Sequence, residues 1–320
     1  MITSTKQRAV RPLYSAKKFY FRHKKSIDKN FFVFSFLALP IALFIIFYIY
    51  VNIESFFMAF KQIGTLKDGS VGEYWTLDNF KNIWTILSTS NGNLGILSEA
   101  ILNTLLFNVV NILLILPTTT LICYFLTRKI LGYRFFRAVY YLPCVITSSA
   151  LVLLFKIALN DGGPLDVLFG KYGYVYPLTE EPKAIITILI YSFLFGLGGN
   201  IIVIGGAMRS VNNEMLEAGQ IDGCNWIQEF FYIILPSIWP TISTILILSA
   251  AGFLGASGPI LPFTEGRYGT MTLAFYNFAL VSGTGAKTDY YLASAIGLCM
   301  TAISFPLAMI VKRVVYGKDK

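Results

Sequence analysis

The chain has 320 residues, 55% of them hydrophobic and only 13% charged, with a mean hydropathy of +0.63; soluble domains average about 25% charged, so an ordinary soluble domain pair is excluded. The formal net charge is +9, but the basic residues cluster beside apolar runs, with no stacking platform or reading helix, which argues against nucleic acid and for membrane-topology signals. The four cysteines (Cys123, Cys144, Cys224, Cys299) lack CxxC spacing, and the one histidine, His23, stands in a basic tail, so no zinc cluster or histidine-based triad can be built.

In chain order, residues 1–30 form a basic tail with Arg8, Arg11, Lys17, Lys18, Arg22, Lys24, Lys25 and Lys29 against Asp28. Residues 31–50 are apolar and uncharged; at about 1.5 Å per residue they reach about 30 Å, the thickness of the hydrocarbon core. A secretory signal peptide is the competing reading, but no small-residue cleavage site follows the run. Residues 51–99 read as a long loop with short helices, one over 76–84 with Asp78 near its start. The second span, 101–126, contains Asn103, Asn108 and Asn111, which should face other helices or a cavity, and Pro117, which predicts a kink.

A basic turn with Arg128, Lys129, Arg134 and Arg137 leads into a third span at 139–159, with Pro143 close to its start and Lys156 snorkelling near its far end. Residues 160–184 form the second loop on the first loop's side. The fourth span, 184–208, holds GLGGN at 196–200 and a glycine pair at 205–206, which allow close helix contact or local unwinding. The fifth span is 237–254, with Pro240, Ser243 and Thr244; the loop 260–289 predicts a short helix over 272–280. The sixth span, 291–311, is broken by Pro306, and residues 312–320 close the chain as a short basic tail. Six spans put both termini on one side, and the basic tails and basic 127–137 loop make that side cytoplasmic.

Residues 208–236, with the loop proper at 212–236, are cytoplasmic by parity, yet acidic, with Glu214, Glu217, Asp222 and Glu229 against Arg209. Asn212 or Asn213 can cap a helix starting near Glu214, where negative charge is favoured. Gly219 and Gly223 weaken that helix by about 1 kcal/mol each relative to alanine, which suggests close backbone approach or a turn at Gly223. A second helical piece over 226–234 would lie against the bilayer, and Leu235–Pro236 would mark the turn into the fifth span. By periodicity alone, an interfacial amphipathic helix with no partner is an equal reading.

The spacing adds more. Glu217-Ala218-Gly219, three residues on Gly223, nine more before Ile233, then one residue before Leu235-Pro236, resembles the signature loop of permease subunits of ATP-binding-cassette (ABC) importers. That signature reads Glu-Ala-Ala, three residues, Gly, nine residues, Ile, one residue, Leu-Pro, and the one departure here is Gly219 for the second alanine. The stretches YYLPCVITSSALVLLFK and SGPILPFTEGRYGTMTLAFY are similar to the carbohydrate-uptake branch, and within it to the first of the two maltose or glycerol-phosphate permease subunits.

The resemblance implies an all-α integral membrane protein with the MetI-like fold of type I importers, six transmembrane helices, the first being an extra N-terminal one. It implies a bacterial cell membrane and a coupling helix over 217–223 seated in a groove of an ATPase subunit. Glu217 is the first choice for the ion-pairing residue there and Asp222 the second, bracing the turn at Gly223. The chain itself binds no cofactor and catalyses nothing; ATP and Mg belong to two ATPase subunits. A second, homologous permease subunit, an extracellular solute-binding protein and membrane lipid complete the partners. Candidate residues for a sugar pathway are Asn103, Asn108, Asn200, Phe253, Ser257, Tyr276 and Asn277, each with helix packing as the alternative role. The rival functions are a secondary transporter or channel without an ATPase, for which no internal repeat or midplane charge is seen, an ABC permease for a non-sugar solute, and a membrane-embedded scaffold.

Overall fold

A computed structural model describes residues 32–65, 70–88, 95–160, 162–169, 181–284 and 288–317. The expected basic tail at 1–30, most of the second outer loop and the last three residues lie outside the described residues. The chain divides into two units, residues 1–58 and 59–320. The first holds α1, Phe32–Met58, an apolar helix of 27 residues with no buried position in its unit. It runs past the expected end at 50, because residues 51–58 continue the apolar pattern with only Glu54 charged.

The second unit begins with a small antiparallel hairpin, β1 (Lys61–Thr65) and β2 (Val71–Trp75), paired from Lys61↔Trp75 to Thr65↔Val71. Helix α2 (Asp78–Ser88) follows, with Thr76 and Asp78 bonding each other at its start. The buried Asn79 amide donates to the Ala59 and Lys61 carbonyls and ties α2 to the hairpin. The membrane helices are α3 (Ile96–Thr127), the pair α4 (Tyr133–Val145) and α5 (Ser148–Leu159), α7 (Lys183–Arg209), α9 (Trp226–Ala251) and α12 (Tyr290–Tyr316). Short helices lie between them: α6 (Pro164–Phe169), α8 (Asn213–Ile221), α10 (Ile260–Thr264) and α11 (Leu273–Ser282). With α1, five helices among the described residues are long and apolar enough to cross a membrane, six if the α4–α5 pair counts as one span.

Three expectations need correction. The third span is no single helix, since α4 and α5 meet at 106° across an extended Ile146–Thr147. β-Branched residues favour that extended backbone. Pro236 does not interrupt its helix, and Pro117 also lies within a continuous α3. Each follows a π-helical turn, Asn111–Ile115 and Phe230–Ile234, whose wider hydrogen bonding accommodates the missing proline N–H. Consequently Trp226–Ile234 is the first part of the fifth span, not a separate surface piece. Pro306 likewise lies inside a continuous α12.

Three apolar clusters hold the second unit together. Tyr124, Ile204, Met208, Phe230, Ile234 and Ile238 join the ends of α3 and α7 to α9. Phe107, Val152, Ile188, Tyr191, Ile260 and Phe263 fill the middle. Leu97, Leu254, Leu273, Leu292 and Ile296 close the opposite end. The outward faces keep large apolar side chains exposed, among them Leu113, Leu154, Ile202, Phe305 and Ile310, as lipid contact requires.

Irregular backbone packed between the spans is capped by side chains, since lipid offers no hydrogen bonds. Asn103 donates to the Gly269 and Met271 carbonyls, Asn108 to that of Phe253, and Thr119 to that of Leu197 where α7 loosens into a turn over 197–200. Lys156 does not only snorkel; its ammonium donates to the Pro262 and Phe263 carbonyls.

Candidate functional site

The acidic loop folds into two helices separated by four residues. Asn212 Oδ1 accepts from the Glu214 N–H at 3.0 Å and caps α8. At the other end Gly223 takes φ +78°, a left-handed conformation that costs glycine little. The Cys224 N–H then bonds the Gly219 carbonyl and the Gly223 N–H that of Gln220, the paired bonds of a Schellman motif. Directly afterwards Asn225 and Gln228 form a reciprocal capping box, with bonds of 2.9 and 3.0 Å, that starts α9. The connection is therefore stiff: a stop and a start, with no free residue between them. Its second helix is continuous with a membrane span.

Gly219 is buried, and a Cβ there would sit 2.6 Å from Ile233 Cδ1. Two spaced elements of the motif are thus in direct contact, and the glycine at the motif's usual alanine leaves room for the isoleucine. Glu217 and Ala218 are exposed, as are Glu214, Met215 and Asp222. Ile221 is 86% exposed, an apolar group that gains from a covering partner. Neither Glu217 nor Asp222 has a side-chain hydrogen bond or ion pair among the described residues. Ile233 and Leu235 are half-buried against the helices, and Pro236 is exposed.

Sequence reasoning missed the strongest electrostatic contact. Glu229 is 4% exposed. Its carboxylate pairs with the Arg128 guanidinium, accepting from Arg128 Nε at 2.8 Å and from the Tyr124 hydroxyl at 3.2 Å. This clamps the end of α3 to the first turn of α9. A usable signal existed: an acid among Trp226, Ile227, Phe230 and Phe231 demands a cation when buried, and the 127–137 turn is the basic segment on the same side.

A cavity of about 810 Å³ lies between α3, the α4–α5 bend and α7, at the loosened turn 197–200. Asn111, Ser148, Tyr191, Ser192, Phe195 and Asn200 give it aromatic faces and polar groups. The Ser192 hydroxyl is buried without a hydrogen-bond partner among the described residues. Of the expected pathway residues, Asn200 lines this cavity. Asn103 and Asn108 are buried and donate to loop carbonyls. Phe253 and Ser257 lie in the segment beside Ala256, Gly258 and Pro259, which do line it. Tyr276 packs with the cluster at the opposite end, and Asn277 Oδ1 is buried without a partner among the described residues.

The protein family described as binding-protein-dependent transport system inner membrane component matches residues 93–317. The chain is 27% identical over 285 residues, 87% of its length and 93% of the relative, to the multiple sugar-binding transport system permease protein MsmF of Streptococcus mutans. It is 26% identical over 271 residues, 79% of the chain and 84% of the relative, to the sn-glycerol-3-phosphate transport system permease protein UgpA of Rhizobium meliloti. Among solved structures it superposes on a bacterial ABC transporter involved in import of the acidic polysaccharide alginate. The TM-score is 0.76 at 22% identity, covering 93% of this chain and all of that one, a likeness of fold.

Proposed function

The chain belongs to the family of binding-protein-dependent transport system inner membrane components, and from that premise we propose that it is the permease subunit that carries an oligosaccharide into the cytoplasm. It is a sugar-type ABC-importer permease and not itself an enzyme. The observation that carries the coupling role is the stiff α8–turn–α9 connector with an exposed acidic and apolar face. In this reading Glu214, Glu217, Met215 and Ile221 enter a groove on an ATPase subunit, where Glu217 meets a cation and Ile221 is covered. ATP and Mg are held by a pair of such subunits. Asp222, expected to brace the turn at Gly223, leaves that to the backbone bonds of Gly223 and Cys224 and is a second exposed carboxylate for the partner.

When the ATPase pair closes, α8 moves with it. The Schellman turn and the capping box pass that movement to α9, and the Arg128–Glu229 clamp passes it to α3. Transfer of this kind needs elements that move as rigid bodies. The sugar would cross through the 810 Å³ cavity, stacking on Tyr191 and Phe195 and bonding Asn200, Ser192 and Asn111. Asn103 and Asn108 then brace the backbone at Gly269, Met271 and Phe253, and Phe253, Ser257, Tyr276 and Asn277 lie outside the cavity lining and serve helix packing. This chain takes the place of the first of the two maltose or glycerol-phosphate type permease subunits, a second, homologous permease subunit completes the path, an extracellular binding protein supplies the sugar, and both termini face the cytoplasm.

Uptake by proteoliposomes holding the assembled complex tests this reading. ATP-dependent accumulation of a labelled oligosaccharide is expected, with Asn200→Ala raising the half-saturating sugar concentration and Glu217→Ala abolishing uptake. Uptake that proceeds equally without ATP would refute it.

A further inference from the structure

A second cavity, of about 500 Å³, opens on the coupling-loop face, where α3 ends at Thr127 and α7 at Arg209. Its walls include Leu126, Met208, Leu216 and Ile234, all apolar. Its polar lining includes Arg128, Lys129, Arg137 and Arg209, and no acidic residue among the described residues. Arg128 is committed to Glu229. Lys129, Arg137 and Arg209 have no ion-pair partner among the described residues.

Two of these cations sit in defined local geometry. Lys129 takes φ +53° in the tight turn that Gly132 (φ +78°) follows, a conformation few lysines adopt. Such local strain persists when the surroundings require it. The Arg137 guanidinium is held 5.5 Å from the centre of the Tyr133 ring. Topology signalling alone asks for basic residues on this face; it does not ask for three of them, unpaired, around one concavity. Mutual repulsion among them is relieved by an anion. An apolar wall beneath a cationic rim, at the depth where the spans end, matches an anionic headgroup with its acyl chain below.

We propose that this cavity binds a phosphate-bearing anion, which bridges the turn after α3 to the start of α8. The phosphate oxygens meet Lys129, Arg137 and Arg209, and the site sits beside the coupling helix without being part of its exposed face. The same oxyanion can come from the headgroup of an anionic phospholipid or from free phosphate in the cytoplasm. The assignment of leaflet and compartment rests on the orientation proposed above; the binding itself does not.

Arginine footprinting of the full chain in nanodiscs tests it, since both faces are open to reagent and neither ATPase nor sugar is needed. The rates at which phenylglyoxal modifies Arg137 and Arg209 are followed by mass spectrometry, with the exposed Arg313 at the far end of α12 as reference. Three preparations are compared: phosphatidylcholine, phosphatidylcholine with millimolar inorganic phosphate, and phosphatidylglycerol. Slowing of about tenfold at Arg137 and Arg209 relative to Arg313 is expected. Slowing in phosphatidylglycerol alone assigns the ligand to lipid; slowing by inorganic phosphate assigns it to the soluble ion. The double variant Lys129→Gln with Arg209→Gln should return Arg137 to the reference rate. Rates equal to that of Arg313 in all three preparations of the natural chain would overturn the site, whether or not the variant folds. So would protection of Arg137 that survives in a folded variant. Either result would leave the coupling role untouched.

Discussion

Gly219, inside α8, and Gly223, in the turn that ends it, are glycine for different reasons, and their substitutions separate them. At Gly219 the obstacle is the tip of Ile233, the far end of a flexible side chain. Gly219→Ala should cost about 1 kcal/mol or less, and Ile233→Val should recover it, whereas Gly219→Leu should overpack the contact by about 1–3 kcal/mol. Thermal midpoints of the purified chain check this order. At Gly223 nothing lies within 4 Å and only the backbone matters. Gly223→Ala costs about 1–2 kcal/mol in left-handed strain. Its expected signature is fewer sugars transported per ATP hydrolysed at nearly unchanged stability of the spans; an unchanged ratio would count against the stiff-connector account. Glu229→Ala leaves Arg128 unpaired. The guanidinium is 30% exposed, so the loss is placed at about 2–3 kcal/mol, below that for a fully buried pair. Adding Arg128→Ala should cost less than the sum of the two single changes; strict additivity would deny the clamp.

Among elements, the hairpin beyond the opposite ends of the spans has its own tie. Glu73 accepts from Lys61 Nζ at 2.9 Å and from the Tyr291 hydroxyl at 2.8 Å, joining the hairpin to the first turn of α12. The Lys61 ammonium first, then the Tyr291 hydroxyl, hold the Glu73 carboxyl below its ordinary value of 4.5. A carboxylate with a lowered folded pKa contributes fully above the unfolded value and loses its contribution as pH falls through the folded one. Hydrogen-exchange protection at 61–65 and 71–75, taken relative to the intrinsic exchange rate at each pH, should therefore fall below about pH 4.5 and level off at lower pH, and Glu73→Gln should remove that dependence. A Gln variant with the same pH profile would refute the tie. The elements differ in how legible they were. The cap at Asn212, the turn at Gly223 and the short helices near 78 and 273 depend on residues within one or two turns, so local chemistry revealed them. The Arg128–Glu229 clamp joins residues 101 apart, and no local pattern pairs them. The hairpin was signalled only by Asp68–Gly69 between two short runs, a turn dipeptide easily read as plain loop.

For the whole molecule, hydropathy sufficed to find the spans because lipid imposes length and apolarity on each helix. It carries no directional information, so the 106° bend between α4 and α5 was invisible in residues 139–159. Proline positions misled for a related reason: a turn at Leu235–Pro236 and a break at Pro306 were expected, yet both prolines lie inside continuous helices, Pro236 just after a π-helical turn. The asparagines in the second span were legible as inward-facing, but which carbonyls they serve depends on segments far along the chain. At the centre of the proposed function, α8 receives movement from an ATPase subunit. Affinity purification of the chain from its own membranes in mild detergent, with identification of every companion by mass, addresses that claim directly. The account predicts an ATPase and a second multi-span permease in matching yield from the natural chain, with the ATPase lost when Glu217→Lys and Gly223→Val are combined. Recovery of the chain alone, or of an ATPase that stays bound to the double variant, would contradict it.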